Sequence, residues 1–473
     1  MAERILIHPV TRVEGHAKIS IYVDDAGEVN SAQFHVTEFR GFEKLCEGRP
    51  FHEMPGLMSR ICGICPVSHV LASSKAGDML LGVEIPRAAV KARRLVNYAQ
   101  VLQSHALSFF HLSAPDLLLG MDSPPEKRNL FGLLEKDRDM ARRGIRLRQF
   151  GQRIIELVAG KRIHPAWGAP GGVLRALREP ERDEIRGWIP EALESMENAL
   201  KRMKAVIESS PLEVEKIGNF PTLFLGTVTP EGELEYYDGL IRIVDGEGNI
   251  VADGLDPMRY ASFLGEASEE WSYMKFAYYK PLGYPGGSYR VGPLARCNVA
   301  KSAGTARADR ELREFKQRGN GAVCQTFHYH LARLIEMLHA VERIQELVED
   351  PDLLREHVRA KAGQNRHHGV GCCEAPRGTL FHDYEVDDDG LMRKVNLLVA
   401  TGQNNLAMNR AVEQTARHFV SAREVREGML NRVEAAIRCF DPCLSCSTHA
   451  VGQMPLVVEV RNRAGELLRR IER

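Results

Sequence analysis

The sequence predicts a mainly α-helical protein with peripheral β-hairpins, an α+β fold class. Long segments repeat apolar residues every three to four positions, which is typical of amphipathic helices. Shorter segments alternate apolar and polar residues on both sides of a turn, which is typical of hairpins. Gly/Pro-rich stretches such as 167–172 and 283–287 are short, so we interpret them as loops inside one domain and not as linkers.

Three hairpins are predicted. The first joins residues 17–23 to residues 29–36, because apolar and polar side chains alternate on both sides of an Asp-Asp-Ala-Gly turn. The other two cover 234–252 and 380–399, and each contains an Asp-Gly pair at its turn. None of the three replaces the helical core.

The helical pattern is clearest between Pro86 and about Leu112. Pro86 suits the first position of a helix, and apolar residues then recur with helical spacing from Val90 through Leu95 to Phe109. Further helices are predicted over 139–160, 181–208, 257–276, 308–349 and 405–438.

Composition excludes several classes of protein. The 473 residues include 63 basic and 63 acidic side chains, so no net charge attracts nucleic acid or an anionic membrane. No apolar run approaches the roughly 18 residues of a membrane span, and the first residues lack the features of a signal peptide. Ten cysteines are too few for a disulfide scaffold in a chain of this length. We therefore expect a cytoplasmic protein with free thiols or metal ligands.

Two short motifs, RICGICPVSH at 60–69 and DPCLSCSTH at 441–449, lie near opposite ends of the chain. Each CxxC pair offers two thiolates to one metal ion, so both pairs together supply four sulfurs. Closing the 377 residues between Cys65 and Cys443 costs about 5 kcal/mol of entropy, against roughly 10 to 16 kcal/mol for a tight thiolate site. The sequence therefore predicts one shared metal centre. Its ligands are Cys62, Cys65, Cys443 and Cys446.

Other interpretations of these motifs stay open. A local zinc knuckle at each end is one, although each pair has a single nearby histidine and no fourth local ligand. A thioredoxin-like redox pair is another, but such pairs open a helix after a strand, whereas Cys443 follows a predicted helix. Four thiolates suit nickel, zinc, copper(I) or an iron-sulfur cluster, and spacing does not choose among them. The remaining cysteines are predicted to be buried side chains: Cys46, Cys297, Cys324, Cys372, Cys373 and Cys439.

The two motifs, together with PVTRVEGHAKI near the N-terminus and EAPRGTL at 374–380, resemble the large, catalytic subunit of nickel-iron hydrogenases. The match runs from about Ile7 to the last residue. EFRGFEKLCEGRP, YRVGPLARCNV and CSTHAVGQMPL are most similar to the cytoplasmic bidirectional, NAD-linked group. The resemblance implies the large-subunit fold with a helical bundle core, and an enzyme that reversibly splits dihydrogen into protons and electrons.

The resemblance also implies a nickel-iron centre at the four cysteines. Cys62 and Cys443 would bind nickel terminally, while Cys65 and Cys446 would bridge to an iron that also carries carbon monoxide and cyanide. With both metals divalent, four thiolates and two cyanides leave a charge near minus two, and burial makes a bare charge costly. Arg377 matches the arginine whose guanidinium lies over the open metal face, and it would supply the counter-charge.

Splitting dihydrogen heterolytically requires a base for the proton. The resemblance implies that the Cys443 sulfur takes the proton first and that Glu14, which matches a glutamate beside that sulfur, carries it away. His69 matches a histidine that hydrogen-bonds near a bridging sulfur. Many relatives have an aspartate where this chain has Ser104, so Asp441 is the remaining acidic neighbour expected for the arginine.

A third metal ion is expected from the same resemblance. Glu43 and His449 match ligands of a separate magnesium or second iron ion, which a backbone carbonyl between Val395 and Ala400 would join. A hard cation held by a carboxylate and few other protein ligands is chemically reasonable.

In the family, maturation ends with a protease cutting after the histidine of the last motif. Here that cut would separate a single catalytic domain, 1–449, from a removable extension, 450–473. Within the extension, 456–460 and 466–471 are predicted to form a pair of strands. The alternative is a permanent C-terminal strand pair.

The chain has neither a glycine-rich dinucleotide fingerprint nor a ferredoxin-type cysteine run. Electrons must therefore leave through a small subunit that holds iron-sulfur clusters and, for NAD-linked use, a flavin-bearing NAD-reducing module. A maturation chaperone and the C-terminal protease are further expected partners. The alternatives are a hydrogenase linked to ferredoxin or heterodisulfide reductase, a structural subunit of an energy-converting complex, and a zinc-stabilised interaction protein.

Overall fold

Helices are the main regular element of the structure, a computed structural model that describes residues 3–448, 457–461 and 467–472. In chain order they are α1 (Phe42–Cys46), α2 (Met54–Met58), α3 (Pro66–Leu81), α4 (Arg87–Ala106), α5 (Ala114–Leu119), α6 (Leu130–Lys136), α7 (Arg138–Ala159), α8 (Glu179–Ser209), α9 (Pro211–Lys216), α10 (Pro293–Val299), α11 (Ala306–Lys316), α12 (Tyr329–Glu349), α13 (Ala400–Gln403), α14 (Asn405–Phe419), α15 (Glu427–Phe440) and α16 (Leu444–Ser447). A mainly α fold with peripheral β-structure is confirmed.

The strands form small separate sheets around the helices. In chain order they are β1 (Glu3–Ile7), β2 (Ala17–Val23), β3 (Val29–Val36), β4 (Gly168–Ala169), β5 (Gly172–Val173), β6 (Leu223–Val228), β7 (Leu240–Val244), β8 (Ile250–Leu255), β9 (Leu264–Ala267), β10 (Phe276–Tyr279), β11 (Tyr289–Arg290), β12 (His368–Ala375), β13 (Gly378–Val386), β14 (Met392–Leu398), β15 (Val457–Arg461) and β16 (Leu467–Glu472). The larger sheets have the orders β1-β2-β3, β11-β6-β7-β8 and β12-β13-β14.

The core is a bundle in which α4 packs against α7 and α12, and α8 packs against the same two helices. Leu95 and Val96 of α4 and Ile335 and Leu338 of α12 are at most 1% exposed. Each such side chain contributes about 1.5 to 3 kcal/mol by leaving water. One hydrophobic cluster runs from Ile7 through the bundle to the cysteines of both motifs.

Helix α3 and the sheet β12-β13-β14 bring the sequence motifs together. The helix begins at Pro66, directly after the first CxxC pair, and lies across β12 and β13. Strand β12 approaches it so closely that a Cβ atom on Gly371 would lie 1.8 Å from the Ala72 carbonyl oxygen. Only glycine fits there, and replacing Gly371 by alanine would push the strand away from the helix. The β12-β13 turn, which carries Arg377, is thereby held beside the cysteines.

All three predicted hairpins are present, as β2-β3, β7-β8 and β13-β14. The second begins at Leu240 and not at 234, and it extends a four-stranded sheet. Eight strands of the described residues were not predicted: β1, β4, β5, β6, β9, β10, β11 and β12. The predicted strand pair of the extension is present as β15 and β16.

The predicted helix over 257–276 is wrong. A single stretch of 3-10 helix, Pro257–Ser262, is followed by β9, which pairs with β10. Tyr260 and Leu264 pack into a second apolar cluster formed by the small sheets, so tertiary packing and strand pairing outweigh the local helical spacing.

Two other predicted helices are each divided in two. The segment 308–349 is interrupted after α11, where Gly319 and Gly321 follow, and Gly321 has a left-handed backbone with φ of 102°. The segment 405–438 separates into α14 and α15. Within the described part of the chain, no helix is long and apolar enough to cross a membrane.

Candidate metal centre

Four cysteine sulfurs from opposite ends of the chain meet at one point in the protein interior. Cys62 Sγ lies 3.3 Å from Cys443 Sγ, and Cys65 Sγ lies 3.6 Å from Cys446 Sγ. Cys443 Sγ and Cys446 Sγ are 2.9 Å apart. All four side chains are buried, and their sulfurs lie within 4.8 Å of one another. Two separate local knuckles are therefore excluded.

The local backbone explains how each pair is shaped. In the first pair the N–H groups of Ile64 and Cys65 point at Cys62 Sγ, at 3.2 and 3.5 Å, which turns the chain before α3 begins. In the second pair, α15 ends where Asp441 adopts a left-handed backbone with φ of 53°. The N–H of Cys443 then donates to Thr401 Oγ1 at 3.0 Å.

The four sulfurs have the spacing that metal ligands require. Two thiolates at about 2.3 Å from one metal lie roughly 3.3 to 3.8 Å apart for bond angles between 90° and tetrahedral. The 3.3 and 3.6 Å distances between the two pairs fall in that range, and the 2.9 Å distance within the second pair is somewhat shorter. Thiolates are soft donors, so the donor set fits nickel and iron.

The acidities of these thiols differ between the pairs. The pKa of Cys65 is lowered well below its ordinary value by hydrogen bonds from Cys443, Cys446 and Cys62. Burial raises the pKa of Cys443 and Cys446 well above the ordinary value. One thiolate in the first pair is thus stabilised by neighbouring thiols, and a metal must displace protons from the second pair.

A buried cation lies beside the sulfurs. Arg377 donates from Nε to the Asp441 carbonyl at 2.5 Å, and its Nη2 lies 3.1 Å from Asp441 Oδ2. Burial acts to lower the pKa of Arg377, but Asp441 and the thiols of Cys443, Cys65 and Cys62 attract its charge and raise the pKa well above its ordinary value. The guanidinium is therefore a permanent positive charge at the centre.

Ser104 occupies the position where a second acidic partner was considered. Arg377 Nη1 donates to Ser104 Oγ at 3.4 Å, so Asp441 supplies the carboxylate in this contact. A hydroxyl leaves more of the arginine's positive charge uncompensated than a carboxylate would. That charge faces the sulfurs.

The Glu14 carboxylate contacts the second pair directly. Cys443 Sγ lies 3.0 Å from Glu14 Oε2, and the N–H of Ser445 donates to the same oxygen at 3.2 Å. Ser445 Oγ donates to Glu14 Oε1. The Leu444 N–H also donates to the backbone carbonyl of Glu14 at 3.1 Å, which pairs the N-terminal loop with the second motif. The carboxylate is therefore held within hydrogen-bond reach of one particular sulfur.

An apolar pocket adjoins the sulfurs of Cys65, Cys443 and Cys446. Ala375, Pro376, Leu380 and Val399 contribute apolar side chains to its lining, and Arg377 contributes a guanidinium.

Comparison with known proteins decides the family. A family model described as nickel-dependent hydrogenase matches residues 40–121 and 230–449, and one described as HoxL-like matches residues 4–39. The chain belongs to the nickel-dependent hydrogenase family. It is 43% identical to the NAD-reducing hydrogenase HoxS subunit beta of Cupriavidus necator, over 99% of both chains. It is 39% identical to an F420-non-reducing hydrogenase subunit of Methanothermobacter thermautotrophicus, over 99% of this chain and 100% of that one.

Solved hydrogenases have the same fold. The crystal structure of an NAD+-reducing NiFe hydrogenase in the H2-reduced state matches with a TM-score of 0.92 and 47% identity, covering 95% of this chain and 100% of that one. The Ni-Fe-Se hydrogenase of D. vulgaris Hildenborough matches with a TM-score of 0.78 at 23% identity, which shows the fold alone. The predicted family, fold class and enzyme class are confirmed.

In this hydrogenase chain, His69 adjoins Cys65, whose pKa its hydrogen bond helps to lower, and its Nδ1 lies 3.1 Å from His382 Nε2. Glu43 is half-buried on α1, a helix that packs against β14. The predicted carbonyl ligand, between Val395 and Ala400, lies in the second half of β14 or just after it. His449, the other predicted ligand, lies outside the described residues.

The sequence did not point to every residue around the hydrogenase centre. Ser445 lies inside the second CxxC motif, so its contact with the Glu14 carboxylate had a signal in the motif itself. Thr401 and His382 had none, because each reaches the centre only when β13 and α13 fold onto α3 and α16. Five of the six remaining cysteines are buried as predicted, and Cys324 is half-buried.

Proposed function

We propose that the chain is the catalytic subunit of an NAD-linked nickel-iron hydrogenase that interconverts dihydrogen with two protons and two electrons. The observation that carries the proposal is the meeting of four buried sulfurs with a carboxylate on one side and a guanidinium on the other. The NAD-linked use is supported by the 43% identity to an NAD-reducing hydrogenase subunit over nearly the whole chain.

The two CxxC motifs supply the proposed metal ligands. Cys62 and Cys443 would hold nickel terminally, and Cys65 and Cys446 would bridge to an iron that carries carbon monoxide and cyanide. The apolar pocket beside Arg377 supports this assignment, because carbon monoxide and cyanide would be bound there by the metal and need few polar partners from the protein. When bound there, the nickel-iron group supplies the redox chemistry that removes two electrons from dihydrogen.

The chain's own residues handle the proton. Cys443 Sγ lies within hydrogen-bond distance of Glu14, so a proton on that sulfur has a carboxylate acceptor at 3.0 Å. Ser445 holds the carboxylate in place through its N–H and its hydroxyl. Arg377 and Asp441 keep a fixed positive charge near the thiolates, which offsets the cost of burying their negative charge.

A third metal ion, magnesium or a second iron, would be held by Glu43, His449 and a carbonyl between Val395 and Ala400. The approach of α1 to β14 supports the first and last of these ligands. Carboxylate, imidazole and carbonyl groups are suitable donors for such an ion.

The mature enzyme would consist of the catalytic domain 1–449, after a protease removes the extension 450–473 with the help of a maturation chaperone. Two observations support this cut. The match to the nickel-dependent hydrogenase model ends at residue 449. The solved NAD+-reducing enzyme covers 95% of this chain, which is the share that the catalytic domain alone represents. Intact-mass measurement of nickel-loaded protein tests the cut, because retention of Arg473 would contradict it.

A second candidate is a cytoplasmic hydrogenase linked to ferredoxin or heterodisulfide reductase. F420-non-reducing hydrogenase subunits of 39 to 41% identity favour it, because they are nearly as similar as the NAD-reducing relative. The two candidates require different partners: an iron-sulfur small subunit with a flavin-bearing NAD-reducing module, or other redox subunits. Identifying the subunits that co-purify therefore distinguishes them.

The deciding experiment is an infrared spectrum of the complex purified from its native host, combined with an assay of hydrogen-dependent NAD+ reduction. We expect bands of one metal-bound carbonyl and two cyanides, and reduction of NAD+ under hydrogen. Absence of these bands from processed, metal-loaded protein would contradict the nickel-iron centre and favour zinc. Bands without NAD+ reduction would favour the second candidate.

A further inference from the structure

The segment YRVGPLARCNV, residues 289–299, packs against the turn 375–378 between β12 and β13, here called the Arg377 turn. Gly292, which precedes α10, approaches this turn so closely that a Cβ atom on it would lie 2.7 Å from the Arg377 carbonyl oxygen. A Cβ atom on Gly378 would lie 2.3 Å from Val291 Cγ2. The start of α10 and the Arg377 turn are therefore in direct backbone contact.

Arg296 lies one helical turn after Gly292, to whose carbonyl its own N–H donates, and it binds the Arg377 turn through its guanidinium. Its Nη1 donates to the Ala375 carbonyl at 2.9 Å, and its Nη2 donates to the Pro376 carbonyl at 3.0 Å. These two carbonyls immediately precede Arg377. Because one rigid, planar group joins both, the backbone before Arg377 is held in one position.

Two buried carboxylates fix Arg296 in turn. Its Nε and Nη2 lie 2.6 and 2.7 Å from the two oxygens of Glu336 on α12, and its Nη1 lies 2.6 Å from Glu374 Oε2. Glu374 Oε1 accepts from the Thr227 N–H at 3.0 Å and from the Thr379 hydroxyl at 2.8 Å. Arg296 and both glutamates are 0% exposed. All five N–H donors of the guanidinium are thus used, so turning it would leave a buried carboxylate or carbonyl without its partner.

We propose that Arg296 is the positioning residue that places Arg377 beside the four sulfurs. The inference rests on the proposed function, in which the Arg377 charge lies next to metal-bound thiolates. Asp441 and Ser104 hold the guanidinium of Arg377, whereas Arg296 and α10 hold its backbone. A backbone displacement of about 1 Å would carry the charge away from the sulfurs, and shifts of that size are known to lower turnover in enzymes by up to about 100-fold.

A second buried arginine has the same kind of contacts at a different loop. Arg93 on α4 is also 0% exposed, and it pairs with both oxygens of Asp78 at 2.6 and 3.2 Å. It donates to the carbonyls of Ala169 and Gly172 at 2.9 and 2.8 Å. That loop carries no residue of the proposed centre. Replacing either arginine by lysine is therefore the same chemical change in two places.

The first test is hydrogen–deuterium exchange of the metal-free full chain in wild type, Arg296→Lys and Arg93→Lys. Lysine keeps the charge that the buried carboxylates need, but its single ammonium cannot replace the planar fork that binds carboxylates and two carbonyls together. In Arg296→Lys we expect amides of the Arg377 turn to exchange about tenfold faster or more, and in Arg93→Lys at the wild-type rate. Unchanged exchange of this turn in Arg296→Lys would overturn the proposal.

The second test compares infrared spectra and turnover per nickel of the purified complexes carrying the same three subunits. Because the Arg377 charge would be displaced, we expect Arg296→Lys to shift or broaden the metal-bound carbonyl band and to lower turnover about tenfold. Arg93→Lys should match the wild type in both. Should Arg296→Lys take up no nickel, the exchange experiment decides alone.

Two outcomes of the second test would overturn the proposal. A wild-type band and turnover in Arg296→Lys would show that Arg377 keeps its place without Arg296. The same changes in Arg93→Lys would show that loss of any buried arginine has this effect. A wild-type complex without carbonyl and cyanide bands would instead contradict the proposed function, while the exchange result would still decide whether Arg296 holds the Arg377 turn.

Discussion

The two CxxC motifs have the same spacing but opposite surroundings. The first precedes a long helix, receives backbone N–H groups at Cys62, and adjoins a buried series of hydrogen-bonded side chains that begins at His69. The second precedes the single turn α16 and contacts a half-buried carboxylate, Glu14, through Cys443. Equal ligand spacing therefore does not mean equal surroundings: backbone N–H groups adjoin a sulfur of the first pair, and a carboxylate adjoins a sulfur of the second.

The Arg377 guanidinium contacts Asp441 of the second motif and is attracted by thiols of both motifs. Replacing Arg377 tests how much this buried charge stabilises the chain. Arg377→Leu leaves Asp441 buried without its partner, so we expect the free energy of unfolding of the metal-free chain to fall by about 3 kcal/mol or more. Urea denaturation measures this loss. Arg377→Leu combined with Asp441→Leu should recover part of it, and the exposed Arg423→Leu should change little. Equal stability of Arg377→Leu and wild type would contradict the ion pair.

Glu14→Gln tests the proposed role of the second motif in releasing a proton. Glutamine keeps the shape and the contact with Ser445 but cannot accept a proton, so we expect turnover to fall about 100-fold or more. Nickel and iron contents should equal those of the wild type. Hydrogen-dependent dye reduction and metal analysis measure the two quantities, with the exposed Glu28→Gln as control. Unchanged turnover would exclude the relay role.

The pH dependence of the unfolding free energy tests the surroundings of the first motif, where His382 contacts His69. The pKa of His382 lies below that of the unfolded chain, so the unfolded state binds a proton first as pH falls below about 6.5. Stability is therefore present above that pH and is lost on acidification, by about 2 kcal/mol at pH 5 for this one group.

The measurement is the slope of unfolding free energy against pH between 7 and 5, in wild type and His382→Gln. We expect a shallower slope in the variant. The exposed His357→Gln is the control and should keep the wild-type slope. A wild-type slope in His382→Gln would show that this imidazole is not held neutral by burial.

The smallest expected effect concerns the middle of each motif. Ser445→Ala removes the hydroxyl that holds the Glu14 carboxylate, and the loss of one such hydrogen bond should lower turnover about tenfold. Ile64 occupies the equivalent position of the first motif, where its side chain has no such partner. Ile64→Ala should therefore leave turnover within about twofold of the wild type. An equal loss of turnover in both variants would contradict the proposed difference between the two motifs.

How much of the site could be predicted differs residue by residue. The cysteines were predicted from the spacing of their own motifs, whereas Glu14 and Arg377 were predicted because their motifs resemble those of nickel-iron hydrogenases. His382, Tyr384 and Thr401 were missed because ordinary strand and helix residues surround them. Their place near the centre depends on the close approach of β12 to α3 at Gly371.

The fold shows the same division. Hairpins with Asp-Gly turns and helices with one long apolar stripe are local, so the chain itself determines them. The segment 257–276, which contains β9, was mistaken for helix because its apolar side chains pack onto sheets that come from distant parts of the chain.

By itself, the sequence determined the mainly helical class, the four sulfur ligands and the hydrogenase family, because these depend on local periodicity and on motifs. Only the tertiary structure decided that Ser445 holds the Glu14 carboxylate, that His69 meets His382, and that Tyr384 meets Ser73. The physical reason is that these contacts join residues hundreds of positions apart, and their geometry is set by packing.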